Sequence, residues 1–411
     1  MSISILQNIT DLSLVHDQNP LVIRSTYSGE TNFYYLYYII DIDGVVSSLK
    51  QSPNPDGLGI FNPNIISKSK VSYNFNHTLT GITTSNGEVY RYKVNYGDVS
   101  DGSYDAAITP TRIITNINGV SRNIEYSNSA YNYAMSSSSS KFLSDCNGRE
   151  IDIQKTDYYI LSFINGYSHA HFSSLVKTIN FEFNVNGSLT TWYLVNPEYN
   201  YSVSDFSFSS QDDKVVMKVG VGPMNLKGSL LRNSVGHTVI LTDSFFDSLT
   251  SYRVYAKNDS GTVISQSVTF NMDCRRYLNK FQIFYMNSVG GFDSLTFNNG
   301  NWEDYSVKTQ TYRKSNMGMV GNNYTYTNGN RSLTTLNRQI EKSLTVNTDF
   351  SMDEDIVLSL MLSSTHYLVD GTTIIPLVID TEKHRKIDSK QSILNSYPIT
   401  FNYSNKTNTN V

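Results

Sequence analysis

Apolar and polar residues alternate along most of this chain, in short stretches separated by turn-forming dipeptides. The run NFYYLYYIIDIDG, starting at Asn32, sets Phe33, Tyr35, Tyr37 and Ile39 on one side of a predicted strand and Tyr34, Leu36, Tyr38 and Ile40 on the other. A strand apolar on both sides is either sandwiched or lies in a subunit interface. Seven Asn-Gly and four Asp-Gly dipeptides punctuate the sequence. These pairs suit the positive φ of tight hairpin turns. EVYRYKV follows Asn86-Gly87, and HYLVD and IIPLVI flank a turn at Gly371. From about Ile151 to Met272 the stretches DYYILSFI, KTINFEFNV, LTTWYLV, DKVVMKVGV, HTVILTD, SYRVYAK and ISQSVTF recur at short spacing, the signature of a sandwich. KFQIFYMNSVGGFDSLTF, from Lys280, reads as a hairpin turning at Gly290-Gly291.

One segment has helical period. In SMDEDIVLSLMLSS, Ser351 and Glu354 form a capping box, and Ile356, Val357, Leu360 and Met361 recur on one helical face. The predicted fold is therefore mainly β, with several antiparallel β-sandwich-like domains and one short capped helix near 352–363. Punctuation suggests three segments: an N-terminal β domain at 1–147, a central β-sandwich-like domain at 148–273, and a C-terminal β domain with the helix at 274–411. The Ser136 to Ser140 tract before the first boundary reads as a linker or exposed loop.

Composition strengthens the β reading. Aromatic residues make up 12% of the 411 residues, with 30 Tyr and 19 Phe, while charged residues supply only 17%. Aromatic side chains pack well on pleated surfaces. A net charge of -4 gives no basic field of the kind that holds nucleic acid, so no sequence-specific nucleic acid is expected as a partner. The N-terminal stretch lacks a signal-peptide pattern, and FYYLYYII is too short to cross a bilayer; a soluble chain without stable membrane insertion is expected. Cys146 and Cys274 stand far apart without metal-ligand spacing, which predicts two buried free thiols.

Candidate chemistry is sparse. Gly290-Gly291 lacks the Lys and Ser/Thr of a phosphate-binding loop. In VGVGPMN, Asn225 takes the third glycine position of a dinucleotide fingerprint and Pro223 is expected to interrupt the approach to a helix. Asp41, Asp43 and Gly44 resemble the start of a calcium loop, but Val46 and Ser52 replace its invariant glycine and glutamate. His169 and His171 point to one side of a strand, as metal sites require, but no third ligand accompanies them. Asp212-Asp213 and Glu303-Asp304 are carboxylates of the type a glycosidase brings together in space, although exposed turn residues explain them better. No catalytic, cofactor-binding or metal-binding residue is assigned.

Three short motifs carry a family likeness. Pro53-Asn54-Pro55, Gly59-Ile60-Phe61 and Gly290-Gly291-Phe292-Asp293, together with the block NPLVIRSTYSGETNFYYLYYIIDIDGVV, resemble a family of virion structural proteins of tailed bacteriophages, including crAss-like phages of Bacteroidota hosts. The resemblance implies a β-rich tail component: a hub or ring subunit near the portal-tail junction or the tail tube, assembled in the host cytoplasm. Its implied partners are identical copies in a closed ring and other tail and portal-proximal proteins. It brings no catalytic residue, which implies a protein that is not an enzyme. Between about 65 and 275 no motif matches. The alternative expectation is a glycan- or receptor-binding adhesin using Trp192 and Trp302 as stacking platforms, with a glycoside hydrolase third.

Overall fold

A computed structural model describes residues 3–27, 32–41, 44–85, 87–100, 103–104, 113–120, 129–168, 173–200, 214–275, 280–314, 317–326, 332–348, 354–381, 397–405 and 407–410. The chain is mainly β, and it divides into two compact units. The first comprises Met1–Arg275 and Met286–Asp293, the second Arg276–Tyr285 and Ser294–Val411.

In the first unit the Phe33–Asp41 strand lies between Val89–Ser100 and Val46–Gln51. Its odd-numbered side is buried, and Tyr35, Tyr37, Tyr92 and Val94 close a core with Leu21, Ile23 and Phe61 of a three-stranded sheet. The even-numbered side is half-buried, so only one side is fully sandwiched. Lys50 contributes to that partial cover, its ammonium 3.5 Å from the centroid of the Tyr34 ring. The sequence pattern thus located both sides of the strand but not their unequal burial.

A second core in this unit is a sandwich. Ile160–Ser168 and Lys214–Gly220, in a four-stranded sheet, face the seven-stranded sheet containing Thr178–Val185, Leu249–Lys257 and Val268–Met272. Leu161, Phe163, Met217 and Val219 meet Phe181, Phe183, Val254 and Phe270 across it. On the reverse side Ile164 and Val216 enter a separate cluster with Leu12, Leu14, Leu143 and Val289. Burial on both sides explains why YYILSFI is nearly continuous in apolar residues. Ile82–Thr84 pairs with Lys214–Gly220, so residues on both sides of position 147 share one sheet. Most pairings are antiparallel; Leu12–Leu14 with Ile114–Ile117 and Glu150–Ile153 with Val268–Met272 are parallel.

Turn chemistry follows some of the dipeptides, although Asn165-Gly166 lies within the strand Ile160–Ser168. Val185 pairs with Ser188 around Asn186 and Gly187, whose φ values of 50° and 84° meet the demand of a two-residue hairpin loop. In the serine tract Ser136 to Ser139 are exposed, whereas Ser140 is buried and its Oγ accepts from the amides of Ser136 and Ser137. The tract is an exposed loop with a fixed end. Cys146 is buried as expected, but Cys274 is exposed, because it follows the last residues of a strand rather than facing a core.

In the second unit an eight-stranded sheet carries the helix Glu354–Leu362. Val357 and Leu360 pack against Ile283, Tyr285, Leu344, Val346 and Phe401. Ser351 lies outside the described residues. At the helix end the buried His366 donates from Nε2 to the Leu360 carbonyl at 2.7 Å, a closer donor than the Ser363 amide at 3.3 Å on the same oxygen.

Candidate functional site

The eight-stranded sheet of the second unit ends at one edge in a long ribbon. Asn299–Arg313 pairs with Leu333–Asn347, fifteen residues on each side, with register shifts at Asn299/Trp302 and Gln310/Thr311. At about 3.4 Å per residue each strand is on the order of 50 Å long, near three times an ordinary strand. Leu333–Asn347 also pairs with Pro398–Tyr403 and Thr407–Asn410. The far edge of Asn299–Arg313 has no strand partner among the described residues. Side chains 304 to 314 are exposed without interruption.

The ribbon's two sides differ. Glu303, Tyr305 and Val307 sit across from Leu344, Lys342 and Ile340, and all share one side of the pleat. Leu344 is fully buried in the core, so its side of the ribbon continues from the core outward as Tyr305 (64% exposed), Val307 (55%) and Ile340. A smaller hairpin, Met317–Val320 with Asn323–Tyr326, lies between the ribbon strands in sequence and exposes Met319, Val320 and Tyr324. Nine of the twenty-nine exposed large hydrophobic residues among those described fall between 302 and 336, a local density that marks an interaction surface.

Glu303 and Asp304 are strand residues, not turn residues, and strand geometry sends them to opposite sides. Glu303 pairs with Lys342 at 2.7 Å and accepts from the Tyr403 hydroxyl at 2.5 Å. Burial opposes its ionisation, but the Lys342 and Tyr403 contacts outweigh it and hold the carboxyl below its usual range. Asp304 accepts from the Trp302 indole at 3.0 Å. The two carboxylates therefore do not converge on one bond. Asp212-Asp213, His169 and His171 lie outside the described residues. Trp192 is half-buried against Phe183 and Phe245, while Trp302 is exposed on the ribbon.

Two further sequence candidates resolve into structure. Pro223 opens the short helix Pro223–Lys227 instead of interrupting it, since proline is well placed in a first helical turn. Asn225, in the position of the missing fingerprint glycine, is fully buried; it accepts from the Tyr159 amide and donates to the His77 and Leu79 carbonyls. Asp41 accepts from the Val45 amide at 2.6 Å and closes a tight turn.

Gly290-Gly291 forms the hairpin turn, but its amides are already committed. Gly290 N–H donates to the Asn287 carbonyl at 3.2 Å and Gly291 N–H to Asn287 Oδ1 at 3.0 Å. A phosphate cradle needs such amides unoccupied. Positive φ belongs to Gly290 (89°), not Gly291. Gly291 is required for another reason: a Cβ there would stand 1.8 Å from the Leu143 carbonyl oxygen.

Beside this turn, Asp293 is fully buried. Ser144 Oγ donates to its Oδ1 at 2.6 Å and Tyr159 OH at 3.0 Å; the Asp145 amide and Asn287 Nδ2 reach Oδ2 at 2.9 and 2.8 Å. The adjacent Cys146 thiol is pushed far above its usual range, chiefly by burial and then by Asp293. Ser144, Tyr159 and Asn287 are each less than 5% exposed, so these groups face one another and not a substrate. They form a knot that ties the turn to the 142–146 loop. The signal in the sequence was only Asp293 following the turn; of its partners Asn287 is six residues away, while Ser144, Asp145 and Tyr159 lie far along the chain.

Burial, followed by the Asp145 charge, pushes Asp293 up to about 6, against the opposing hydrogen bonds. A folded pKa above the unfolded value means that this group favours the fold fully below about pH 4 and loses that contribution as pH rises through 6. Raising the pH from 5 to 7 is expected to remove roughly 1 kcal/mol of stability through Asp293. Chemical denaturation at both pH values should show this difference disappearing in Asp293→Asn; an identical pH response in the variant would assign it to other groups.

Among the described residues no helix is long and apolar enough to cross a membrane, and no group of three His, Cys, Asp or Glu side chains is placed to hold a metal ion. The first unit has an open cleft of about 560 Å³ lined by Arg253, Tyr255, Lys257, Gln266 and neighbouring serines. Arg253 there is paired with Glu182 at 2.7 Å. No protein-family model matches this chain, and no curated protein matches it in sequence.

Proposed function

We propose that this protein is a structural subunit of a bacteriophage tail, a hub or ring component near the portal-tail junction or in the tail tube, acting as one of many identical copies. The observation that carries the reading is the long ribbon with its exposed apolar side. A lone subunit gains nothing from extending Tyr305, Val307 and the Met317–Tyr326 hairpin into water, whereas an assembly buries them. The tyrosine-rich, weakly charged composition supports the same reading, since interface cores favour aromatic residues and exclude Lys, Glu and Asp. So does the likeness of the Pro53-Asn54-Pro55, Gly59-Ile60-Phe61 and Gly290-Gly291-Phe292-Asp293 motifs to tail proteins of crAss-like phages. Head-to-tail contacts between copies close into a ring when the rotation between them closes.

The deciding experiment is reconstruction of an intact particle. Copies related by rotation about the tail axis and touching identical neighbours are the expected result. Separate copies at fibre tips would replace the ring with an adhesin, and absence from the particle would overturn the structural reading itself. The adhesin alternative has two supporting features: Trp302, exposed on the ribbon, and the cleft at Arg253, Tyr255 and Lys257, whose aromatic, cationic and hydroxyl groups suit a saccharide. A glycan array with the purified chain tests it, specific binding lost in Trp302→Ala or Lys257→Ala being the outcome in its favour.

A further inference from the structure

An unpaired strand edge is a template for another strand, and folded proteins ordinarily blunt theirs with short length, proline, bulges, a cover or charges that repel a second copy. The edge of Asn299–Arg313 is fifteen residues long, contains no proline, and has its side chains exposed from 304 to 314. The exposed charges there, Asp304, Lys308, Arg313 and Lys314, are of both signs and can instead complement a second copy. Resting on the reading of the ribbon as an assembly element, we propose that in the unassembled protein this edge is closed by the same strand of a second copy, antiparallel, about a two-fold axis through Thr309.

Symmetry and charge restrict the register. An antiparallel pair of identical strands has its two-fold axis along the normal of the sheet, and that rotation keeps each side chain on its own side. Residues facing each other must share a side, so the pairing is centred on one residue. Centring on Lys308 places two ammonium groups against each other, which is destabilising. A centre on Ser306 sets Asp304 opposite Lys308, but it leaves Arg313 and Lys314 with neither an acidic nor an aromatic partner. Centring on Thr309 sets Asp304 opposite Lys314 and Tyr305 opposite Arg313, each twice by symmetry. Lys308 then faces Gln310, Val307 faces Thr311, and Thr309 faces itself. This register has two opposite-charge pairs, two cation–aromatic pairs and no like-charge pair. The self-complementarity identifies the occupant as a second copy. A closed pair consumes both edges and stops, where head-to-tail edge pairing would run on into fibres. The pair therefore protects free subunits until assembly replaces the contact.

The full-length protein tests this in solution, independently of its position in any particle. Light scattering at tens of micromolar should give a dimer. In a Cys274→Ser background, which removes the exposed native thiol, Thr309→Cys should cross-link to itself on mild oxidation. Val307→Cys and Thr311→Cys should do so only when the two variants are mixed. Asp304→Lys should weaken association about tenfold, and Asp304→Lys with Lys314→Asp should restore it. A monomeric wild type, open-ended association, or a dimer indifferent to both the Thr309 thiol and the charge swap would each overturn the proposal. Because every substituted side chain is exposed, loss of folding is not expected to obscure the result.

Discussion

Glu88→Ala is expected to destabilise the first unit by about 3–5 kcal/mol, the cost of stranding a buried charge. The side chains of Glu88 and Lys218 are only 2% and 6% exposed, and they form a close ion pair. The Lys218 ammonium also donates to the Asn74 carbonyl and lies 5.5 Å from the centre of the Phe292 ring; Glu88 accepts from the Asn74 amide at 2.9 Å. Truncating the carboxylate leaves the ammonium with one carbonyl and an aromatic face in a place water does not reach. Replacing both partners by apolar residues, as in Glu88→Leu with Lys218→Met, should cost less than either single truncation, because no charge is then left behind. Denaturant titration of the three variants measures the difference. A single-variant loss below 1 kcal/mol would mean that water enters and solvates the survivor.

Gly290→Ala and Gly291→Ala should each cost roughly 3 kcal/mol or more, for different reasons that a control separates. A Cβ at Gly290 meets both a φ of 89° and the Asn118 carbonyl oxygen at 1.9 Å. At Gly291 the backbone is permissive and the contact with Leu143 alone forbids it. Gly187, with a φ of 84° and nothing within 4 Å of its would-be Cβ, isolates the backbone contribution. Gly187→Ala should therefore lose only about 1–2 kcal/mol. Thermal midpoints of the three variants should rank accordingly; a loss at Gly290 no larger than at Gly187 would show that the Asn118 backbone gives way without cost, and no loss at Gly291 would show the same of the 142–146 loop.

Local chemistry was legible in the sequence and long-range chemistry was not. Alternation located Phe33–Asp41, the central sandwich strands and the helix around Val357 and Leu360, because period and burial are properties of a few consecutive residues. Asn186-Gly187 and Asp370-Gly371 marked hairpin turns for the same reason. Asn165-Gly166, by contrast, lies within the strand Ile160–Ser168, where pairing overrides the dipeptide's preference, and Asn299-Gly300 opens a strand. The Asp293 knot was hidden, since Ser144 and Tyr159 are more than a hundred residues from it and nothing in their neighbourhoods distinguishes them. Glu88 and Lys218 were hidden likewise. The ribbon escaped notice for a different reason. EDYSVKTQTYR has Thr, Tyr and Val suited to a strand, but it carries polar residues on both sides, and an alternation read against a core gives such a strand no anchor.

The chain does not finish its first unit before starting its second. Val289, Asn287 and Asp293 belong with residues 1–275, although ten residues of the second unit are synthesised between them and Arg275. On the ribosome, a nascent chain ending at Arg275 carries the Ser144 and Tyr159 hydroxyls and the Asp145 amide without their acceptor, and the Leu12, Leu14 and Leu143 cluster without Val289. At roughly 5–20 residues per second the missing piece follows within a few seconds. A gene fragment cut after Arg275 never receives it, so its product should be recovered as insoluble material, and a shortened fragment should regain solubility only when its 3′ boundary moves beyond the codon for Asp293.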